Sequence, residues 1–137
     1  MKKIFGFFLT LVLLMSNHTA FAQIFSENHK ISFPLNGSEQ FGTIQGTQYG
    51  DGAWAVIGGL EVKGGRDFLR IMGTLAQFEP NVLQFTGTVF FQSGSIGYAP
   101  CVNTGNFEFV KARGQKYWRS KEAVSCDEKK RYLNIYF

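Results

Sequence analysis

Apolar and polar residues alternate in short runs along most of the chain after residue 22, as they do in half-buried β-strands. In Lys30–Leu35, for example, Ile31, Phe33 and Leu35 alternate with residues of other kinds. No stretch shows the spacing of three and four residues that marks the apolar face of a helix. Fifteen glycines spread through these 115 residues would also weaken any long helix. The pattern predicts an all-β domain.

Glycine, proline and asparagine divide this region into about nine short strands. The predicted strands span Lys30–Leu35, Phe41–Tyr49, Ala53–Lys63, Phe68–Phe78, Val82–Gln92, Ile96–Val102, Phe107–Ala112, Lys116–Lys121 and Arg131–Phe137. Strands joined in order by short turns form an antiparallel meander, and a small domain must protect the edges of such a sheet. We therefore predict a small meander that closes into a β-barrel, with a two-sheet sandwich as the alternative.

Three of the turns predict hairpins with a definite register. They are a two-residue turn at Pro80-Asn81, a four-residue loop over 64–67 and a two-residue turn at Arg113-Gly114. Each register places apolar residues opposite one another, and two of the three also pair opposite charges, which supports them. The predicted opposite pairs are Phe78 with Leu83, Leu60 with Ile71, Val62 with Leu69, Phe109 with Trp118, Glu61 with Arg70 and Glu108 with Arg119.

The first 22 residues differ from the rest and have the order of a secretory signal. Lys2 and Lys3 precede an apolar run over 4–15, and Ala20-Phe21-Ala22 forms a small-x-small cleavage site. Crossing a bilayer takes roughly 20 apolar residues, so the alternative of a retained membrane anchor fits less well. We predict a cleaved signal peptide at 1–22 and a single domain at 23–137, with no membrane span after cleavage. The protein is then periplasmic or secreted, exported from a bacterial cytoplasm.

Cys101 and Cys126 are the two cysteines of the chain. An even number of cysteines in an exported protein indicates a disulfide, because the compartments beyond the inner membrane are oxidising. A catalytic or metal-binding pair would need closer spacing or nearby histidines. The pair therefore predicts a structural disulfide.

The charge of the chain is unevenly distributed. The total is +4, of which Lys2 and Lys3 supply two, and the remainder is too small to indicate nucleic acid or an anionic membrane as a partner. From Lys111 to Phe137, however, eight basic residues face only three acidic ones. The C-terminal quarter therefore forms a basic end on a mildly acidic body.

The strongest binding candidate is the aromatic and basic segment Lys111–Lys121 within this basic end. In the predicted register Phe107, Phe109 and Trp118 face the core, whereas the alternate positions face outward. The candidate binding residues are Arg113, Lys116, Tyr117, Arg119 and Lys121. Tyrosine and arginine are favoured at interfaces, so this set predicts a patch for an anionic protein surface or an acidic glycan. The alternative is an ordinary solvated face.

The chain after residue 22 offers little for catalysis or metal binding. Its one histidine, His29, lies near the predicted N-terminus, where a catalytic triad is not expected. Zinc sites need several His or Cys ligands, so no metal and no cofactor is predicted. Asp127 and Glu128 are adjacent but stand in a lysine-rich loop. Two carboxylates from distant strands could still meet, which keeps a carboxylate-dependent enzyme as an alternative.

Gly52-Ala53-Trp54 resembles the G-x-W motif that opens the first strand of lipocalin-type barrels. The resemblance covers these three residues. It implies only an architecture, namely a barrel in which the tryptophan closes one end.

Together these features predict an exported, small, disulfide-bonded binding protein that is not an enzyme. Its partner is a protein or an acidic glycan, and inhibitors or immunity-type factors that block hostile enzymes are examples of this class. A small outer-membrane β-barrel is a third interpretation, because Leu133, Ile135 and Phe137 alternate up to the end of the chain. Membrane strands of about 9–11 residues would leave little chain for loops, which disfavours that interpretation.

Overall fold

A computed structural model describes residues 28–137, in which eight antiparallel strands form one closed barrel. Each strand pairs with the next in the chain and β8 pairs back onto β1, so the sheet has no free edge. The strands are β1 (Asn28–Leu35), β2 (Ser38–Gly50), β3 (Ala53–Glu61), β4 (Phe68–Glu79), β5 (Val82–Gln92), β6 (Cys101–Val110), β7 (Tyr117–Ser120) and β8 (Asn134–Tyr136). The predicted closed barrel is confirmed, and the alternative of a two-sheet sandwich is wrong. The predicted signal peptide lies outside the described residues.

The core fills the inside of the barrel with one side chain from every second strand position. Ile31, Phe33 and Leu35 of β1 are fully buried, as the alternation of that segment predicts. Trp54 is also fully buried at the start of β3, beside the β2–β3 turn. The lipocalin-like motif therefore does lie in a barrel, although it opens the third strand and not the first. Burial of one large apolar side chain contributes about 1.5–3 kcal/mol, so this core dominates the stability.

Two glycines allow β4 and β5 to approach closely at the middle of the barrel. Gly73 and Gly87 lie directly opposite each other. A Cβ atom added at Gly73 would come within 2.3 Å of the Thr86 carbonyl oxygen, and one at Gly87 within 2.2 Å of the Met72 carbonyl oxygen. Since backbone atoms cannot yield as a flexible side chain can, the strong coiling of these strands depends on glycine at both positions.

The region between β5 and β7 differs from the prediction of two strands at Ile96–Val102 and Phe107–Ala112. A short 3-10 helix at Gly94–Ile96 follows β5, and one continuous strand, β6, covers Cys101–Val110. The residues expected to form a turn stay in the ladder because Gly105 lies opposite Gly87 and lets the strand coil without interruption. The described chain therefore contains eight strands.

The predicted β4–β5 register is wrong by one residue on the side of Phe78. Pro80 and Asn81 form the turn, with Glu79 opposite Val82, but Leu83 lies opposite Gln77. A β-bulge absorbs Phe78, whose surface is 72% exposed. Because Phe78 is apolar, the sequence pattern assigns it to the core, although the bulge places it outside.

The other two predicted registers are wrong by two residues, which preserves the face of every side chain. Leu60 lies opposite Leu69, and Phe109 lies opposite Ser120. The β3–β4 loop is longer than expected because Asp67 turns inward and accepts hydrogen bonds from Ser93 and the Gly94 backbone. Contacts with a neighbouring turn therefore decide the register, and pattern matching cannot detect them.

One of the two charge pairs predicted from these registers forms, and the other does not. Glu61 and Arg70 do form an ion pair, although they are not directly opposite. Glu108 pairs with Lys121 at 3.4 Å between Oε2 and Nζ, whereas the prediction assigned it to Arg119. The shift of two residues in the β6–β7 register explains that exchange and leaves Arg119 for other contacts.

The predicted disulfide is confirmed. Cys101 at the start of β6 is joined to Cys126 in the connection between β7 and β8, with the two Cα atoms 5.7 Å apart. The bond ties this long connection to the barrel wall. It therefore constrains the path of the chain into β8, the strand that closes the barrel.

Candidate functional site

The three strands that close the barrel bring distant parts of the sequence onto one outer surface. Within β8, Ile135 is buried, so its neighbours Asn134 and Tyr136 point outward. Asn134 lies opposite Ser32 of β1 on one side and Arg119 of β7 on the other. The closing strand therefore joins β1 and β7 into a continuous surface.

A chain of hydrogen bonds holds this outer surface in place. Arg119 Nε donates to Asn134 Oδ1 at 3.0 Å, and Asn134 Nδ2 donates to Ser32 Oγ at 3.1 Å. Ser32 Oγ is also 3.1 Å from the Tyr136 hydroxyl. Ser32 and Asn134 are buried although they point away from the core, because the surrounding side chains cover them. A buried polar network of this kind fixes the orientation of the side chains above it.

Cations and aromatic rings alternate above this network. Lys30 Nζ lies 4.9 Å from the Phe41 ring centre and 4.6 Å from that of Tyr136. The Arg119 guanidinium lies 5.4 Å from the Tyr117 ring centre and 5.6 Å from that of Tyr132. The rings of Tyr117 and Tyr136 are 5.4 Å apart and join the two groups. We call this surface the cation–aromatic face, and it consists of Lys30, Phe41, Tyr117, Arg119, Tyr132 and Tyr136.

The two cations of this face have no carboxylate partner within residues 28–137. The ion pairs of that part of the chain join Arg70 to Glu61, Lys121 to Glu108 and Arg131 to Asp127. Lys30 and Arg119 contact aromatic rings and, in the case of Arg119, an amide oxygen. Their positive charge is therefore not neutralised locally and attracts anions.

The five residues predicted for the site have different positions. Tyr117 and Arg119 lie together on β7, as predicted, and form two of the six residues of the face. Arg113 and Lys116 are exposed in the connection between β6 and β7. Lys121 follows β7 and is held by Glu108. Tyr117 and Arg119 therefore lie in the face, Arg113 and Lys116 lie in the connection before it, and Lys121 forms an ion pair with Glu108.

Four residues of the face were not identified from the sequence, namely Lys30, Phe41, Tyr132 and Tyr136. The sequence pattern does indicate the two tyrosines, because the alternation that turns Leu133 and Ile135 inward turns Tyr132 and Tyr136 outward. Nothing local indicates that β1 follows β8 around the barrel. Closure of the sheet alone brings Lys30 and Phe41 into the face.

A cleft on the opposite edge of β7 contains two carboxylates. It has a volume of about 310 Å³ and lies between β6 and the chain that leaves β7. Its lining includes Gln84, Asn106, Phe107, Glu108 and Glu122. Both glutamates are exposed, and Glu108 is paired with Lys121. The cleft thus brings together two carboxylates, which is the arrangement that the alternative of carboxylate chemistry requires.

A polar cluster closes the end of the barrel near the disulfide. The buried guanidinium of Arg131 lies over the Phe91 ring at 5.4 Å and donates hydrogen bonds to Asp127 and to Ser95 Oγ. The hydrogen bonds from Arg131 and Ser125 hold the pKa of the Asp127 carboxyl well below its usual range. The Arg131 and Asp127 charges pair with each other, so we assign this cluster a structural role.

Residues 28–137 contain neither a cluster of metal ligands nor an apolar helix of membrane-spanning length. Within residues 28–137, no three His, Cys, Asp or Glu side chains come together as metal ligands. In the same part of the chain, no helix has the length and apolar character needed to span a membrane.

Comparisons with known proteins identify the family and the fold. Residues 14–137 match the PM1083 family, and the chain therefore belongs to that family. No curated protein matches the chain. Among solved structures, it is similar to a redesigned β-barrel, with a TM-score of 0.52 and 11% sequence identity over 85% of this chain and 93% of the other. At that identity the similarity concerns the fold alone.

Proposed function

We propose that this PM1083-family protein is an exported, non-enzymatic binding protein that holds an anionic partner on the cation–aromatic face. The observation that carries the proposal is that Lys30 and Arg119 lie uncompensated between aromatic rings on a surface fixed by the Ser32–Asn134 network. A prearranged surface loses little side-chain entropy on binding. A partner that is an enzyme would make the protein an inhibitor or immunity-type factor.

Export to the periplasm or beyond is supported by the disulfide and by the residues before the described chain. A Cys101–Cys126 bond is typical of oxidising compartments. The apolar core lies inside the barrel, and the described charged residues other than Asp67 and Arg131 are not buried, which is the arrangement expected in water and the reverse of an outer-membrane barrel. These observations favour a protein that works in solution outside the cytoplasm.

Two variants of equal charge test whether the face, and not net charge, binds the partner. Lys30→Gln/Arg119→Gln removes two charges from the face, and Lys129→Gln/Lys130→Gln removes two from the exposed connection before β8. Binding of both to polyglutamate and to polygalacturonate is measured at two salt concentrations. We expect the face variant to lose at least tenfold in affinity for the polyanion that binds, and the control less than twofold. Equal losses would show that binding depends on the net charge of the protein and not on the cation–aromatic face, which would contradict the proposal.

A carboxylate-dependent enzyme is the second candidate, favoured by the presence of Glu108 and Glu122 in one cleft. Glycoside hydrolysis requires two such carboxylates, one of them protonated at the working pH. Glu108 is engaged by the Lys121 ammonium, and a substrate would have to displace that ion pair to reach its carboxylate. Release of reducing ends from polygalacturonate decides the matter. Release that disappears in Glu122→Gln would establish the enzyme, and we expect none.

A further inference from the structure

We propose that the partner of the cation–aromatic face is an acidic polysaccharide whose carboxylates recur once per disaccharide. This inference rests on the function proposed above and adds the chemical class of the ligand. It follows from a repeat in the face itself, because the same unit, one cation between two aromatic rings, occurs twice.

The first unit is Lys30 between Phe41 and Tyr136, and the second is Arg119 between Tyr117 and Tyr132. Lys30 and Arg119 stand on strands separated by two inter-strand spacings, and their register differs by two residues. With spacings of about 4.8 Å and a rise of about 3.4 Å per residue, their Cα atoms are roughly 12 Å apart. That Cα separation is comparable with the disaccharide repeat of a uronate-containing chain, and the flexible Lys30 side chain can bring its charge to the matching distance from Arg119.

The free donors of Arg119 suit an oxyanion. Its Nε is engaged by Asn134, whereas both terminal nitrogens are without a hydrogen-bond partner among residues 28–137. A guanidinium held at Nε presents its outer nitrogens in a fixed orientation, and arginine binds carboxylates well in that geometry. Lys30 supplies a second, more adaptable positive charge at the other unit.

The rings give the face its preference for sugar over a simple acidic polymer. Phe41 is 54% exposed, while Tyr117, Tyr132 and Tyr136 are partly exposed beside the cations. Sugar rings carry C–H groups that pack against aromatic faces, and their hydroxyls hydrogen-bond to tyrosine hydroxyls. A polysaccharide with spaced carboxylates presents charge and C–H surface alternately, as the face does. An acidic protein surface has no such regular alternation.

Calorimetric titration with three probes tests the assignment on the protein purified from the full sequence. The probes are hyaluronan octasaccharide, with a carboxylate on every second sugar, polyglutamate of equal charge, and a neutral dextran oligomer. We expect the octasaccharide to bind at least tenfold more tightly than polyglutamate, and dextran to bind weakly or not at all.

Variants then separate the contribution of the rings from that of the charges. Tyr132→Leu keeps apolar bulk but removes the ring, and Arg119→Gln removes the charge, with retained thermal stability as the check on folding. Tyr132→Leu should weaken octasaccharide binding about tenfold and leave polyglutamate binding unchanged, whereas Arg119→Gln should weaken both. If polyglutamate binds as tightly as the octasaccharide and only Arg119→Gln matters, the partner is an acidic protein surface and the glycan assignment alone falls. If neither probe binds, the glycan assignment and the proposed anion-binding function both fall.

Discussion

Removal of the Cys101–Cys126 disulfide should cost the protein a large share of its stability. The bond closes a segment of 25 residues. In the chain-entropy treatment, opening a loop of that length lowers the free energy of unfolding by about 3.5 kcal/mol. Small domains have total unfolding free energies of about 5–15 kcal/mol, so the loss is between about a fifth and two thirds of the whole.

The two cysteines allow the entropic effect to be separated from packing. Cys126 is exposed, whereas Cys101 is fully buried and accepts a hydrogen bond from Asn103. Cys126→Ala therefore removes the bond with little loss of packing, and Cys101→Ala/Cys126→Ala removes the bond and the buried sulfur together. We expect the single variant to lose about 3.5 kcal/mol and the double variant somewhat more, because it leaves a small cavity.

Urea denaturation of wild type, single and double variant under oxidising conditions measures these losses. Far-ultraviolet circular dichroism before denaturation shows whether each variant has folded. A loss below about 1 kcal/mol for Cys126→Ala would refute the argument, since the loop would then be ordered by other contacts even in the unfolded chain.

Three further predictions follow from the described contacts and from the sequence before them. Trp118→Ala should lower the free energy of unfolding by about 3–5 kcal/mol because Trp118 is buried against Phe137, whereas Tyr117→Ala should lower it by about 1 kcal/mol. Equal losses in urea denaturation would show that β7 faces the other way. Because the pKa of Asp127 is lowered in the folded protein, its carboxylate contributes fully to the free energy of unfolding above about pH 4, where an unfolded aspartate is ionised. This contribution is lost as pH falls towards the pKa of the folded state. Asp127→Asn should therefore flatten the acid side of a plot of stability against pH, and an unchanged slope would contradict this. Intact-mass measurement of protein from the cell envelope should show a chain starting at Gln23, and retention of residues 1–22 would exclude signal cleavage.

The sequence predicted the faces of the strands much better than their registers. Alternation placed Trp118 inside and Arg119 outside, and the bounds of Val82–Gln92 agree with β5. The register of β3 and β4 depends on Asp67, whose carboxylate reaches Ser93 on a different hairpin. Such contacts join residues that are distant in sequence, so no local pattern can contain them.

The candidate site shows the same limit. Tyr117 and Arg119 were predicted because they are neighbours in sequence and belong to a basic segment. Lys30 and Phe41 come from the opposite end of the described chain and meet them only because β8 closes the barrel between β7 and β1. The assignment of Lys121 to the patch depended on leaving its charge free, and the true β6–β7 register pairs it with Glu108 instead.

The position at which an anionic ligand binds tests the proposed function most directly. Backbone amide resonances of the protein labelled with nitrogen-15 are followed during titration with hyaluronan octasaccharide. We expect the largest shifts in β1, β7 and β8, at Lys30, Tyr117, Arg119 and Tyr136. Shifts centred instead on Asn106, Glu108 and Glu122 would place the ligand in the carboxylate cleft and contradict the assignment of function to the cation–aromatic face.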